Sequence, residues 1–102
     1  MIINLQTVHF KGSPELEAYV HEKVGKLFEQ NSAIIHADVI LSEGASGNPE
    51  NKWCEITLAI PGNNHVVKKN TDVYEKSIAE AVEALQKIMR RKKEIAVTQR
   101  RH

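Results

Sequence analysis

The chain has 102 residues, of which 41% are hydrophobic and 26% charged, with a formal net charge of +1. That size suits one domain with a modest core, and no apolar run approaches the roughly 18 residues of a membrane span. MIINLQTVHF at the start lacks the pattern of a signal peptide, and Cys54, the only cysteine, excludes an intramolecular disulfide and fits a reducing cytoplasm.

Residues 2–10, IINLQTVHF, are rich in β-branched and aromatic side chains and predict a strand. Helix punctuation follows over 12–31. Ser13 is placed to cap, Pro14 suits the first helical position, and Glu15 and Glu17 favour the positive end of the helix dipole. Leu16, Val20, Val24 and Leu27, with Tyr19 and Phe28 beside them, form one apolar stripe. Gly25 within it costs about 1 kcal/mol relative to Ala, and nothing in the sequence accounts for it.

Residues 33–41 alternate as a second strand with Ile35, Val39 and Leu41 on one face. Residues 52–60 predict a third, with Cys54, Ile56, Leu58 and Ile60 inward and Trp53, Glu55 and Thr57 outward. SEGASGNPEN between them reads as a long hairpin loop, and PGNN at 61–64 as a turn into a short fourth strand over 65–70. Its Lys68 and Lys69 would guard an edge or face a partner. A second helix begins near Asp72, with Asp72 and Glu75 in a capping-box arrangement. Tyr74, Ile78, Ala81, Val82, Leu85, Ile88 and Met89 form its core-facing stripe. Read to residue 95, it is roughly 36 Å long. The order β-α-β-β-β-α implies an α+β fold, a four-stranded sheet with two helices packed on one face. Residues 1–102 read as a single domain, with 96–102 a flexible basic tail.

Charge divides unevenly along this order. Residues 1–64 hold four lysines against eight acids, whereas 86–102 hold seven cations against Glu94 alone. Such asymmetry suits either an anionic partner or a solvated tail at a helix C-terminus. Arg90, Arg91, Lys92 and Lys93 are consecutive and so point to all sides of the helix, with Lys92 on the angle of Tyr74 and Leu85. A packed helix would not bury an unpaired lysine there, so the helix is expected to outrun the sheet. Lys23 and Lys26, three residues apart on the first helix, can join the second helix's cations in one electropositive surface. Phosphate backbone is the common target of such a surface, and the scarcity of aromatics argues against base stacking.

Catalytic and metal chemistry find no support. His9, His21, His36, His65 and His102 are scattered, none at ligand spacing with Cys54 or another histidine. Cys54 reads as a small core residue without a base to activate it. The chain therefore reads as a binder, not an enzyme, with no cofactor, no metal and no small-molecule substrate.

The helix start DVYEKSIAEAVEALQK, the KVGKL segment from Lys23 to Leu27, the VHF at 8–10 and the basic end of the second helix together resemble the ribosome hibernation promoting factors. These are also called ribosome-associated translation inhibitors or sigma-factor modulation proteins. The resemblance implies a fold like the double-stranded-RNA-binding domain. It also implies a partner, the small ribosomal subunit and its rRNA, bound at the mRNA/tRNA decoding region, with inhibition of translation in slow or stationary growth. Under it Lys23, Lys26, Lys87, Arg90, Arg91, Lys92 and Lys93 are the candidate RNA-binding residues. The chain is expected to be a short form without the further domain of longer members, a monomer off the ribosome. A basic-helix protein-interaction module and a general double-stranded-RNA-binding domain are the rival readings.

Overall fold

The computed structural model describes the backbone of residues 1–100 and the side chains of residues 1–90. Its elements run β1 (Ile3–Val8), α1 (Pro14–Gln30), β2 (His36–Glu43), β3 (Lys52–Ile60), β4 (Asn63–Thr71) and α2 (Tyr74–Arg100). The four strands form one sheet in the order β1-β2-β3-β4. β1 and β2 are parallel, as they must be when α1 carries the chain back across the sheet, and the other two pairs are antiparallel.

Register places one residue of each strand in line on the helix-covered face. Leu5, Val39, Ile56 and Val67 stand side by side, followed by Thr7, Leu41, Cys54 and Lys69. Val39, Leu41, Cys54 and Ile56 are fully or almost fully buried, against Val20, Val24 and Leu27 of α1 and Ile78, Ala81 and Leu85 of α2. Both helices thus cover the same face of the sheet, which is the predicted α+β arrangement. Trp53, Glu55 and Thr57 face the other side, and the Lys68 ammonium sits 4.8 Å from the Trp53 ring centroid.

Local chemistry sets the element ends. Ser13 caps α1, its hydroxyl accepting from the Leu16 amide at 3.2 Å, and Pro14 opens the helix as predicted. β1 stops at Val8, short of the expected residue 10, because His9 takes a left-handed conformation at φ 67° that ends the extended run. Gly62 has φ 87°, which with Pro61 before it is the residue order a type II turn demands, and the hairpin closes in two residues. β4 is consequently longer than the expected 65–70.

Two more boundaries differ from the expectation. β2 begins at His36, not at residue 33, so Ile35 lies before the strand and is 55% exposed, while Ala37 takes the inward place and Ile34 is buried. The chain leaves α1 through a turn in which the Asn31 side chain accepts from the Ala33 amide, and this delays the strand. At the other helix, α2 starts at Tyr74, two residues past Asp72, and the Thr71 hydroxyl bonds the backbone of Val73 just before it. The Thr71 hydroxyl accepts from the Val73 amide at 3.3 Å and lies 2.8 Å from the buried Ser77 hydroxyl, which donates to the Lys52 carbonyl at 2.6 Å. Gly25 is covered by Met1, whose sulfur would be 3.4 Å from an added Cβ, an ordinary contact that demands no glycine.

Among the described residues, Leu85 is the last fully buried one on α2, Met89 still packs against the core, and Ile88 is 37% exposed. The helix continues to Arg100. The tail expected over 96–102 lies outside the residues whose side chains are described.

Candidate nucleic-acid interface

The two helices lie side by side on the sheet, and their facing flanks carry cations. On α1, Lys23 and Lys26 are three residues apart and therefore neighbours on one flank. On α2, Glu83, Gln86, Lys87 and Arg90 follow the i, i+3, i+4, i+7 spacing of a single stripe. The stripes meet across a groove of about 410 Å³ lined by Lys23, Lys26, Glu83, Gln86, Lys87 and Arg90, with the small side chains of Ala79 and Val82 also in its lining. Past Arg90 a second hollow of about 330 Å³ continues the seam, shared by Gln86 and Arg90 and closed by Gln30, Asn31 and Met89.

Electrostatically the seam is one-sided. Four cations line the groove against the single carboxylate of Glu83. Glu83 reaches Lys87 at 3.6 Å, but both side chains are well exposed, so the pair is worth little and leaves the field of the groove positive. The Lys23 stem is half-buried and its ammonium lies 5.4 Å from the Tyr19 ring centroid, which steers it along α1. Lys26, Lys87 and Arg90 are exposed. Such an arrangement can take a multiply charged anion: phosphate oxygens seated between the flanks are met from both sides, and mutual repulsion among the cations is relieved.

Of the seven candidate residues, the structure brings Lys23, Lys26, Lys87 and Arg90 together. The side chains of Arg91, Lys92 and Lys93 lie outside the described residues; their backbone continues α2. Lys68 does not join the group, since it lies over Trp53 on the opposite sheet face. Sequence reading missed Glu83, Gln86 and the small lining residues, though the α2 stripe spacing carried the signal.

Burial, helped by the neighbouring Glu55 carboxylate, pushes the Cys54 thiol up to about 12, far from a reactive thiolate. Tyr74 is likewise raised to about 12, first by burial and then by Glu43. His36 pairs with Asp38 at 3.2 Å. Among the described residues, no three His, Cys, Asp or Glu side chains cluster as a metal ion would require, and no helix is long and apolar enough to cross a membrane.

A family model described as Sigma 54 modulation protein / S30EA ribosomal protein matches residues 3–96, a span that includes every strand, α1 and the cationic stretch of α2. The chain belongs to this family. It is the hibernation-factor family that its sequence resembles. Among solved structures, the N-terminal domain of Protein Y from Thermus thermophilus superposes with a TM-score of 0.75 at 24% identity, over 89% of this chain and 98% of that one. A ribosomal subunit interface protein from Coxiella burnetii superposes with a TM-score of 0.80 at 16% identity, over 91% and 98% respectively. At these identities the likeness establishes a shared fold. No curated protein sequence matches the chain.

Proposed function

We propose that this S30EA-family chain binds the small ribosomal subunit through its rRNA, at the mRNA/tRNA decoding region, and silences translation when growth slows. The observation that carries the reading is the cationic seam, where Lys23 and Lys26 of α1 face Lys87 and Arg90 of α2 across one open groove. Family membership supports a ribosomal partner, and so does the fold shared with a protein described as a ribosomal subunit interface protein. The mechanism is steric: phosphate contacts anchor the domain where mRNA and tRNA must pass, and no covalent step is involved. It places the protein in the cytoplasm, with Arg91, Lys92 and Lys93 extending the contact along α2.

Charge reversal tests this directly. A Lys26→Glu, Arg90→Glu variant should lose co-sedimentation with small subunits and lose inhibition of in vitro translation, with its circular dichroism unchanged. Wild-type binding should weaken with salt by about 0.7–0.9 log units per log unit for each phosphate contacted. Normal sedimentation and inhibition by the variant would remove the seam from the mechanism.

A further inference from the structure

We propose that β1 is an association edge for a second copy of this chain, the two β1 strands pairing antiparallel about a two-fold axis at Leu5. β1 lies at the end of the strand order and pairs with β2 alone. The Ile2 carbonyl accepts from the Ala37 amide at 3.0 Å, which fixes the parity of that ladder. Ile2, Asn4, Gln6 and Val8 therefore turn their backbone groups toward β2, while Ile3, Leu5 and Thr7 turn theirs outward. Those outward N–H and C=O groups have no partner strand among the described residues. The opposite edge, β4, carries Lys68 and Lys69, the usual guard against pairing. Residues Ile2 to Val8 hold no charged side chain and no proline. Leu5 packs against the core yet is only half-buried, whereas Val39 and Ile56 in its row are buried almost completely.

Self-complementarity selects a second copy as the occupant. Outward backbone groups must meet outward ones, so odd-numbered residues oppose odd-numbered residues. With Leu5 on the axis, Ile3 opposes Thr7 of the second copy, and every outward group of Ile3, Leu5 and Thr7 finds a partner. Side chains then match pair by pair. On the helix-covered side Leu5 meets Leu5, and Ile3 meets the methyl of Thr7. On the open side Ile2, which is 56% exposed, meets Val8, and exposed Asn4 meets exposed Gln6. The Asn4 amide nitrogen already donates to Asp38 at 2.9 Å, which leaves the Asn4 carbonyl to accept from the Gln6 side chain. Sliding the register one step sets Ile2 against Gln6, or Asn4 against Val8, and leaves backbone groups unpaired. The axis stands normal to the sheet, so both helix layers lie on one side and each α1–α2 seam stays open. The monomer expected from the sequence is then one side of a concentration-dependent equilibrium.

Sedimentation equilibrium of the intact protein, without RNA, should show the mass rising from 11.5 kDa toward twice that value as concentration increases. Thr7→Pro removes an N–H that β1 does not use toward β2, and loss of that bond from each copy should weaken association by about tenfold. Ile2→Lys, at an exposed position, should weaken it comparably by placing a charge on the apolar pair, and serves alone should Thr7→Pro disturb the circular dichroism. Register is read by mixing an Asn4→Cys chain with a Gln6→Cys chain under oxidising conditions. Opposed positions of this kind have Cα atoms roughly 4.5 Å apart, within disulfide reach, so the mixture should cross-link. Either chain alone should not, because its two cysteines sit diagonally at roughly 7–8 Å. The native Cys54 is buried and does not compete. A mass of 11.5 kDa at every concentration would overturn the proposal. So would association untouched by Ile2→Lys, or single chains that cross-link as readily as the mixture. Neither measurement involves RNA, so failure here leaves the ribosomal reading intact.

Discussion

Phe10 stacks on Tyr74, their ring centroids 4.4 Å apart and their planes 15° from parallel. Phe10 lies in the connection from β1 to α1, and Tyr74 is the first residue of α2. One aromatic contact therefore ties the approach to one helix to the start of the other, and the two flanks of the cationic seam are held in relation partly through it. Lys52, paired with Glu43, sits 5.7 Å from the Tyr74 centroid and covers the stack from the sheet side. Replacing Phe10 with Ala should cost roughly 1.5–3 kcal/mol, below the 3–5 of a fully buried Phe because both rings are only half-buried, and including the 0.5–1.5 of the aromatic pair. A urea titration with unchanged slope and a lowered midpoint checks it. Tyr74→Phe should behave differently. The Tyr74 hydroxyl is buried without a partner among the described residues, so its loss should be neutral or stabilising.

The Ser77 hydroxyl is a second joint between sheet and helix. It is fully buried, donates to the Lys52 carbonyl at 2.6 Å, and lies 2.8 Å from the Thr71 hydroxyl. Ser77→Ala takes the hydroxyl donor away from the Lys52 carbonyl in a buried place, while Thr71 keeps its bonds to Val73, a penalty of about 1–3 kcal/mol. For a domain of this size each kcal/mol moves the melting midpoint by about 4–8 °C. A melting temperature within a degree of wild type would mean that the hydroxyl does not join α2 to the sheet.

The contrast between these joints and the strands shows what could be read without coordinates. Alternation over 52–60 placed Cys54, Ile56 and Leu58 inward correctly because both helices cover one face only, so period two maps directly onto burial. The stripes on α1 and α2 were legible for the same reason. Ile35 was misplaced because alternation does not reveal where a strand starts; a turn at Asn31 delayed β2 until His36. Asp72 was taken for a cap because it is the usual residue type there, while the contact that forms depends on Ser77 and Lys52, distant in sequence. Cations of the seam could be proposed from composition and helix spacing. The position of Glu83 among them depends on how the helices are turned toward each other.

Cys54 should make the fold sensitive to alkali. Its thiol ionises near 9.0 when unfolded and is pushed up to about 12 in the native protein. A folded pKa raised above the unfolded one gives stability that is intact below pH 9 and declines as pH rises toward 12, because only the unfolded chain releases the proton freely. By pH 10.5 the loss amounts to about 2 kcal/mol. Cys54→Ala should be less stable at neutral pH, since it leaves a small cavity, yet should lose less further stability between pH 9 and 12 than wild type. Urea midpoints across that range compare the two slopes directly. Parallel slopes would mean that the thiol is not desolvated. Thiol reagents at pH 8 should report the same burial by labelling native protein only at its rate of opening.

The seam should weaken the free protein while serving its partner. Like charges across the groove repel by about 0.4 kcal/mol per pair at ~10 Å in water, and less as salt screens them. Arg90→Gln and Lys26→Gln should therefore each raise the urea midpoint slightly in low salt, an increment that disappears in high salt, while lowering RNA affinity. Glu83→Gln should do the reverse, since it removes the carboxylate that partly offsets the groove and pairs with Lys87. The opposition of the two effects is the diagnostic feature. Cations serving only as a solubilising helix tail would be nearly neutral in both measurements, because exposed charges facing open water interact weakly with one another. Arg90 and Lys26 variants that lose stability and RNA affinity together would instead show that these side chains support the packing of α1 on α2.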